Sequence, residues 1–116
     1  MADPLANQCK DDDLEKVRLA FNALLLLQRE IPGQLVSTFL YIASHDGCHK
    51  QALEQELDMT TASSSRNTDW LSDGRMGIKH QGLGLITKEV DGRRQRLRLT
   101  SKGKQLAKQM KSIIYG

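Results

Sequence analysis

Aromatic residues are scarce in this 116-residue chain: two Phe, two Tyr and one Trp make 4% of positions, too few to suggest an aromatic-lined ligand cavity. Its two cysteines, Cys9 and Cys48, sit in unlike segments without a C-x-x-C spacing, which excludes a disulfide framework and a four-thiolate zinc site. The longest apolar run, Ala23 to Leu27, is far too short to cross a bilayer, and Met1-Ala2-Asp3-Pro4 lacks the basic start and apolar stretch of a secretion signal. A cytoplasmic location without a membrane partner is therefore expected. Catalytic signatures are missing as well. There is no nucleophile elbow and no HExxH, and the glycines at 74, 77, 82 and 84 do not match G-x-G-x-x-G. The reading is a protein that is not an enzyme and carries no cofactor.

What remains is ordinary globular material, 39% apolar and 27% charged, sized for one domain with one core. Its charge is unevenly spread. Residues 1 to 65 carry 5 Lys/Arg against 10 Asp/Glu, whereas residues 66 to 116 carry 12 against 4, so a net of −5 adjoins a net of +8. Such asymmetry suits a molecule that presents one face to nucleic acid phosphates.

Residues 1-13 read as a mobile acidic tail whose final aspartates favour the positive end of a following helix. The remainder, 14-116, reads as a single domain. Leu14, Val17, Phe21, Leu24 and Leu25 follow helical spacing until Ile31-Pro32-Gly33 breaks the helix, while Leu19, Ala20, Ala23, Leu26 and Leu27 spread apolar surface around the cylinder. A small domain covers one stripe, so the excess predicts that segment 14-30 is a dimerisation helix. Helices are expected over about 34 to 44, with Leu35, Thr38, Phe39 and Ile42 inside, over 50 to 57, and over 61 to 72 behind the N-cap Thr60.

That last helix, Thr61-Ala-Ser-Ser-Ser-Arg-Asn-Thr-Asp69, has almost no apolar bulk before Trp70 and Leu71. Small hydroxyl residues are mediocre helix formers, so contact with phosphates and base edges offers a reason for the string. Glycine-rich residues 73 to 84 read as a long connection. Two strand candidates, Leu85 to Val90 and Arg94 to Leu99, then flank the hairpin signal Asp91-Gly92-Arg93, with Leu97 and Leu99 alternating against Arg96 and Arg98. Thr100 caps a final helix, 101-114, striped by Leu106, Met110 and Ile113. The fold class is thus mainly α with a small β-hairpin (α+β), a winged helix-turn-helix over residues 34-100.

Three segments carry a family likeness: Leu53-x3-Leu57-x-Met59-Thr60-x-Ala62-Ser63-x-Ser65-Arg66-x2-Asp69-x-Leu71, then Gly84-Leu85-Ile86 with Asp91-Gly92-Arg93, then Leu99-Thr100-x2-Gly103. In this order they resemble the MarR family of bacterial transcription regulators, over about residues 34 to 106. The resemblance implies a homodimer held by its first and last helices, with two recognition helices in successive major grooves of a pseudo-palindromic double-stranded DNA site. It also implies a repressor-type regulator and leaves room for a small-molecule effector of unknown identity. Between Leu71 and Gly84 this chain holds several more residues than the family usually places there.

Residue types then assign roles. Thr61, Ser63, Ser65 and Arg66 face outward for groove contacts, Arg66 being suited to bidentate guanine recognition. Arg93 and Arg94 at the wing tip would enter the minor groove or grip phosphate, with Asp91 orienting Arg93. Lys88, Arg96 and Arg98 would add phosphate contacts, as would Arg75 and Lys79 in the connection. The cluster His45, Cys48, His49 matches no structural zinc pattern and reads as a turn, and Cys48 has only Lys50 beside it to lower its pKa. The alternative is a winged-helix protein-protein interaction module, in replication or in interference with a host regulator.

Overall fold

Asp11 opens the first helix: its carboxylate accepts the Leu14 backbone N–H at 3.0 Å, and acidic residues fill the first turn, where the helix dipole favours them. The computed structural model describes residues 11–73 and 82–116, in which five helices and three strands form a mainly α, α+β winged-helix layout. Residues 1 to 10 of the acidic tail and 74 to 81 of the connection, with Arg75 and Lys79, lie outside the described residues.

Helix α1 spans Asp12–Leu25, five residues short of the expected end. Its last carbonyls are taken by turns instead, Leu27 and Gln28 both donating to Leu24 O, and residues 26–30 lead into Pro32. Pro32 keeps an extended ψ of 145° and serves as N-cap of α2, Gly33–Ser44. All four residues expected inside α2, Leu35, Thr38, Phe39 and Ile42, are fully buried.

A two-residue strand, β1 (Cys48–His49), stands where a simple turn was expected. Pairing rather than propensity makes it a strand, because Cys48 lies opposite Leu97 and His49 opposite Arg96. Helix α3, Lys50–Glu56, and helix α4, Thr61–Leu71, are joined by a turn in which Asp58 takes a left-handed φ of 51°, a conformation that Asp tolerates better than bulky residues do. Thr60 caps α4 as expected, its hydroxyl accepting Ser63 N–H at 3.1 Å.

Strands β2 (Ile86–Asp91) and β3 (Arg94–Leu99) form the antiparallel hairpin, in a sheet ordered β1-β3-β2. Gly92 supplies the positive φ, 63°, that a two-residue hairpin turn needs at its first position. Helix α5, Ser101–Tyr115, packs back along α1. The joint between sheet and α5 explains Leu99-Thr100-x2-Gly103. Thr100 accepts Gly103 N–H at 3.1 Å and donates its hydroxyl to Gly84 O at 2.7 Å, while a Cβ on Gly103 would stand 2.1 Å from Leu85 O. Only glycine fits.

The core runs from Ala20, Ala23 and Leu24 through Leu35, Phe39 and Ile42 to Leu53, Leu71, Leu85 and Leu97, with Trp70 packed at its edge. Left outside it are Leu14 (67% exposed), Val17 (59%) and Phe21 (37%), which share one face of α1 at helical spacing.

Candidate nucleic-acid interface

Helix α4 has two polar faces with different employment. Outward, Thr61 and Arg66 are exposed and Ser63 and Ser65 half-buried, the four residues assigned to groove contact, and the Arg66 guanidinium reaches back to the Ser63 hydroxyl at 3.3 Å. Inward, Ser64, Asn67, Thr68 and Asp69 are buried. The hydroxyl string is therefore only half explained by an external partner. Ser64 donates to the Glu54 carboxylate, Thr68 donates to Ser64 O at 2.7 Å, and Asn67 donates to the Gln34 side chain at 3.0 Å. Ser64, Thr68 and Asn67 each have a hydrogen bond, which is the condition for burying such groups cheaply.

Glu54 is the hub between α3 and α4. The Ser64 hydroxyl above all, and then Lys50 at 2.9 Å, hold its carboxyl below the usual carboxylate range against the opposing effect of burial. Lys50 and Glu54 are an i,i+4 pair, a spacing legible in the sequence, whereas Gln34 had no local signal tying it to Asn67 thirty-three residues away.

Lys88 was expected to meet phosphate. The structure turns it inward, where it pairs with the buried Asp69 and ties strand β2 to the end of α4. Its register explains this, because Lys88 lies opposite Leu97 and so points to the core side of the sheet.

On the outer side, register places Asp91 opposite Arg94 and Glu89 and His49 opposite Arg96. The arginines bond diagonally along this face: Arg98 Nε to Glu89 at 2.9 Å, and Arg96 Nη2 to Asp91 Oδ2 at 2.8 Å. Asp91 thus orients Arg96, and not Arg93 as the sequence suggested, because Arg93 sits in the turn itself. His49 Nε2 reaches the same Asp91 oxygen at 2.8 Å, and His49 followed by Arg96 holds the Asp91 carboxyl below its ordinary range. Arg96 also donates to Gly47 O at 2.7 Å. Arg93 and Arg94 are exposed and have neither an ion-pair nor a side-chain hydrogen-bond partner among the described residues.

The result is a helix end and a hairpin tip with polar groups at the surface, Ser63, Ser65 and Arg66 on one, beside Thr61 whose side chain also bonds Glu54, and Arg93 and Arg94 on the other. Short hydroxyls and planar guanidinium forks are the groups that bond phosphate oxygens and base edges.

The three side chains of the possible metal cluster go separate ways. His45 stacks on Tyr41 with centroids 4.3 Å apart, His49 turns to Asp91, and burial pushes the Cys48 thiol up, away from the reactive thiolate. Between α2 and α5 lies a groove of about 410 Å³, floored by Phe39, Leu40 and Met110 and edged by Lys104, Lys108 and Lys111. No helix among the described residues is long and apolar enough to cross a membrane.

No protein-family model and no curated protein matches the chain. Solved structures do. It is similar to MepR, a transcription regulator of the Staphylococcus aureus multidrug efflux pump MepA, with 25% identity and a TM-score of 0.62 over 88% of this chain and 70% of that one. It is also similar to a MarR transcriptional regulator from Methanosarcina mazei (19% identity, TM-score 0.59, 96% and 77% covered). A third is the PcaV transcriptional regulator from Streptomyces coelicolor (19%, 0.58, 85% and 72%).

Proposed function

We propose that this MarR-like winged-helix chain binds double-stranded DNA as a homodimer and regulates transcription, as a repressor, by occupying a pseudo-palindromic site. Helix α4 enters the major groove, with Thr61, Ser63, Ser65 and Arg66 toward the bases. The wing tip, Arg93 and Arg94, lies on the minor groove or the flanking backbone. No chemical step is involved, and the function is binding alone.

One observation carries this reading. Ser64, Asn67 and Asp69 on the inner side of α4 are bonded to α3, α2 and β2, which holds the outward Ser63, Ser65 and Arg66 in place next to two exposed arginines that have no ion-pair or side-chain hydrogen-bond partner among the described residues. A surface of that kind has no structural purpose of its own. The dimer rests on the exposed Leu14, Val17 and Phe21 face of α1, which lies along α5.

Selection of bound fragments from random duplex DNA, followed by light scattering of the selected complex, tests both parts together. The expected outcome is a two-fold-symmetric consensus with half-sites about one helical turn apart, bound by two chains. A strictly monomeric protein that selects no sequence and ignores duplexes at low salt refutes it. A wing that is dispensable for the protein's partner would favour the protein-protein interaction module instead.

A further inference from the structure

The outer face of the wing holds a three-way contact in which one atom is asked to do two incompatible things. His49 Nε2 lies 2.8 Å from Asp91 Oδ2, an acceptor, and 3.3 Å from Arg96 Nη2, a donor. A neutral imidazole nitrogen satisfies one of these and not the other: carrying the hydrogen it bonds Asp91, carrying the lone pair it bonds Arg96. Arg96 Nη2 in turn shares the same Asp91 oxygen at 2.8 Å. Protonation removes the ambiguity. An imidazolium donates to Asp91, no longer accepts from Arg96, and sets a second cation against the guanidinium, so two cations compete for one carboxylate oxygen.

Among the described residues the other carboxylates beside the wing are already engaged, and Arg96 keeps one further bond, from Nη1 to Gly47 O at 2.7 Å. From β2, Glu89 is taken by Arg98; from α3, Glu54 is held by Lys50 and Ser64. From the end of α2, Asp46 accepts the Leu99 backbone N–H and His45 stacks on Tyr41, while Arg94 on β3 adds only further positive charge. His49, Arg96 and Asp91 side chains are 27%, 32% and 49% exposed, open enough to exchange protons with solvent and to meet a polyanion.

We propose that a proton on His49 transfers the Asp91 carboxylate from Arg96 to the imidazolium and so frees Arg96 Nη2 to bind a DNA phosphate while Nη1 stays on Gly47 O. Arg96 is then a conditional contact, silent at alkaline pH and engaged on acidification, and the protein grips DNA more tightly as the medium turns acid. The inference rests on the reading that the wing meets DNA. The test spans about pH 5 to 8, the range in which imidazoles as a class change charge.

Two measurements separate the proposal from the reading beneath it. In the protein without DNA, NMR of the His49 ring and the Arg96 guanidinium across that range should show Arg96 resonances moving with the His49 titration, and Asp91→Asn should uncouple them. An Arg96 signal that stays fixed while His49 titrates overturns the proposal. With a fluorescent 30-base-pair duplex as probe, wild type should tighten about fivefold more than His49→Gln between about pH 8 and 5.5, the size of one screened charge contact. Superimposable pH profiles in two proteins that both bind the duplex overturn it too. Failure of either protein to bind at any pH counts against the DNA-binding reading, and the NMR titration still decides the exchange of partners.

Discussion

Removing Arg93 and Arg94 together isolates the charges that the structure leaves without internal partners. Of the described cations assigned to DNA, Lys88, Arg96 and Arg98 are paired with Asp69, Asp91 and Glu89, whereas Arg93 and Arg94 have no carboxylate partner among the described residues. Each phosphate contact contributes about 0.9 to the slope of log affinity against log salt, so Arg93→Ala with Arg94→Ala, which deletes four contacts from a dimer, should flatten the slope by about 3.6. Between 50 and 200 mM salt those four contacts are responsible for a loss of roughly two orders of magnitude in wild type, which the variant should not show. Fluorescence anisotropy of a labelled duplex at several salt concentrations reads this directly. Two controls sharpen it. Lys88→Met should lower the melting temperature and leave the slope unchanged, because that lysine is spent inside the fold. Arg98→Ala should flatten the slope less than either tip arginine, since its partner Glu89 accompanies it at the surface. A double variant with the wild-type slope, or a Lys88→Met variant that flattens it as much, refutes the assignment.

Further outcomes follow from packing and protonation. Gly103→Ala forces a Cβ to 2.1 Å from Leu85 O and should cost about 2 kcal/mol or more, roughly 8 °C in Tm for a domain of this size; an unchanged thermal transition contradicts the joint described above. The Glu54 carboxyl is held below its ordinary 4.5 by the Ser64 hydroxyl first, so its stabilisation is present above about pH 4.5 and lost as pH falls through the lower folded value. Ser64→Ala should therefore lower stability at neutral pH by about 1.5 kcal/mol in urea titrations, with the deficit shrinking at about pH 3, and a deficit independent of pH would refute the linkage. Val17→Asp with Phe21→Asp should keep the far-ultraviolet circular dichroism and yield a monomer in sedimentation; a persistent dimer places the interface elsewhere.

The helices were legible wherever a stop signal was local. Pro32, the cap Thr60, the Asp91-Gly92 turn and the Thr100 cap each mark a boundary within a residue or two of where the chain changes direction. The end of α1 was not, because the apolar run continues through Leu27 and only the tertiary route into Pro32 stops the helix at Leu25. Strand β1 was hidden for the same reason, since two residues become a strand only by lying beside Leu97 and Arg96. At the interface, the outward residues of α4 followed from helical geometry. The fate of the wing cations did not: which arginine meets which carboxylate depends on the β2–β3 register, and a lysine's direction reverses with a single step along a strand. The Ser/Thr run misled in another way, because composition cannot tell a hydroxyl turned to solvent from one bonded to Glu54 or to Ser64 O.

The manner in which α4 is fastened has a consequence for how such a protein changes its target. A greasy underside would let a helix roll by some degrees with little loss, since dispersion forces are indifferent to angle. Hydrogen bonds are not, and those to Gln34 and Glu54, together with the Lys88 pair, set the rotational phase of the rod from three directions. Ser63, Ser65 and Arg66 can then be exchanged for other side chains without re-aiming the remainder, so on the function proposed above new operator preferences are reachable one substitution at a time on a mount that does not shift.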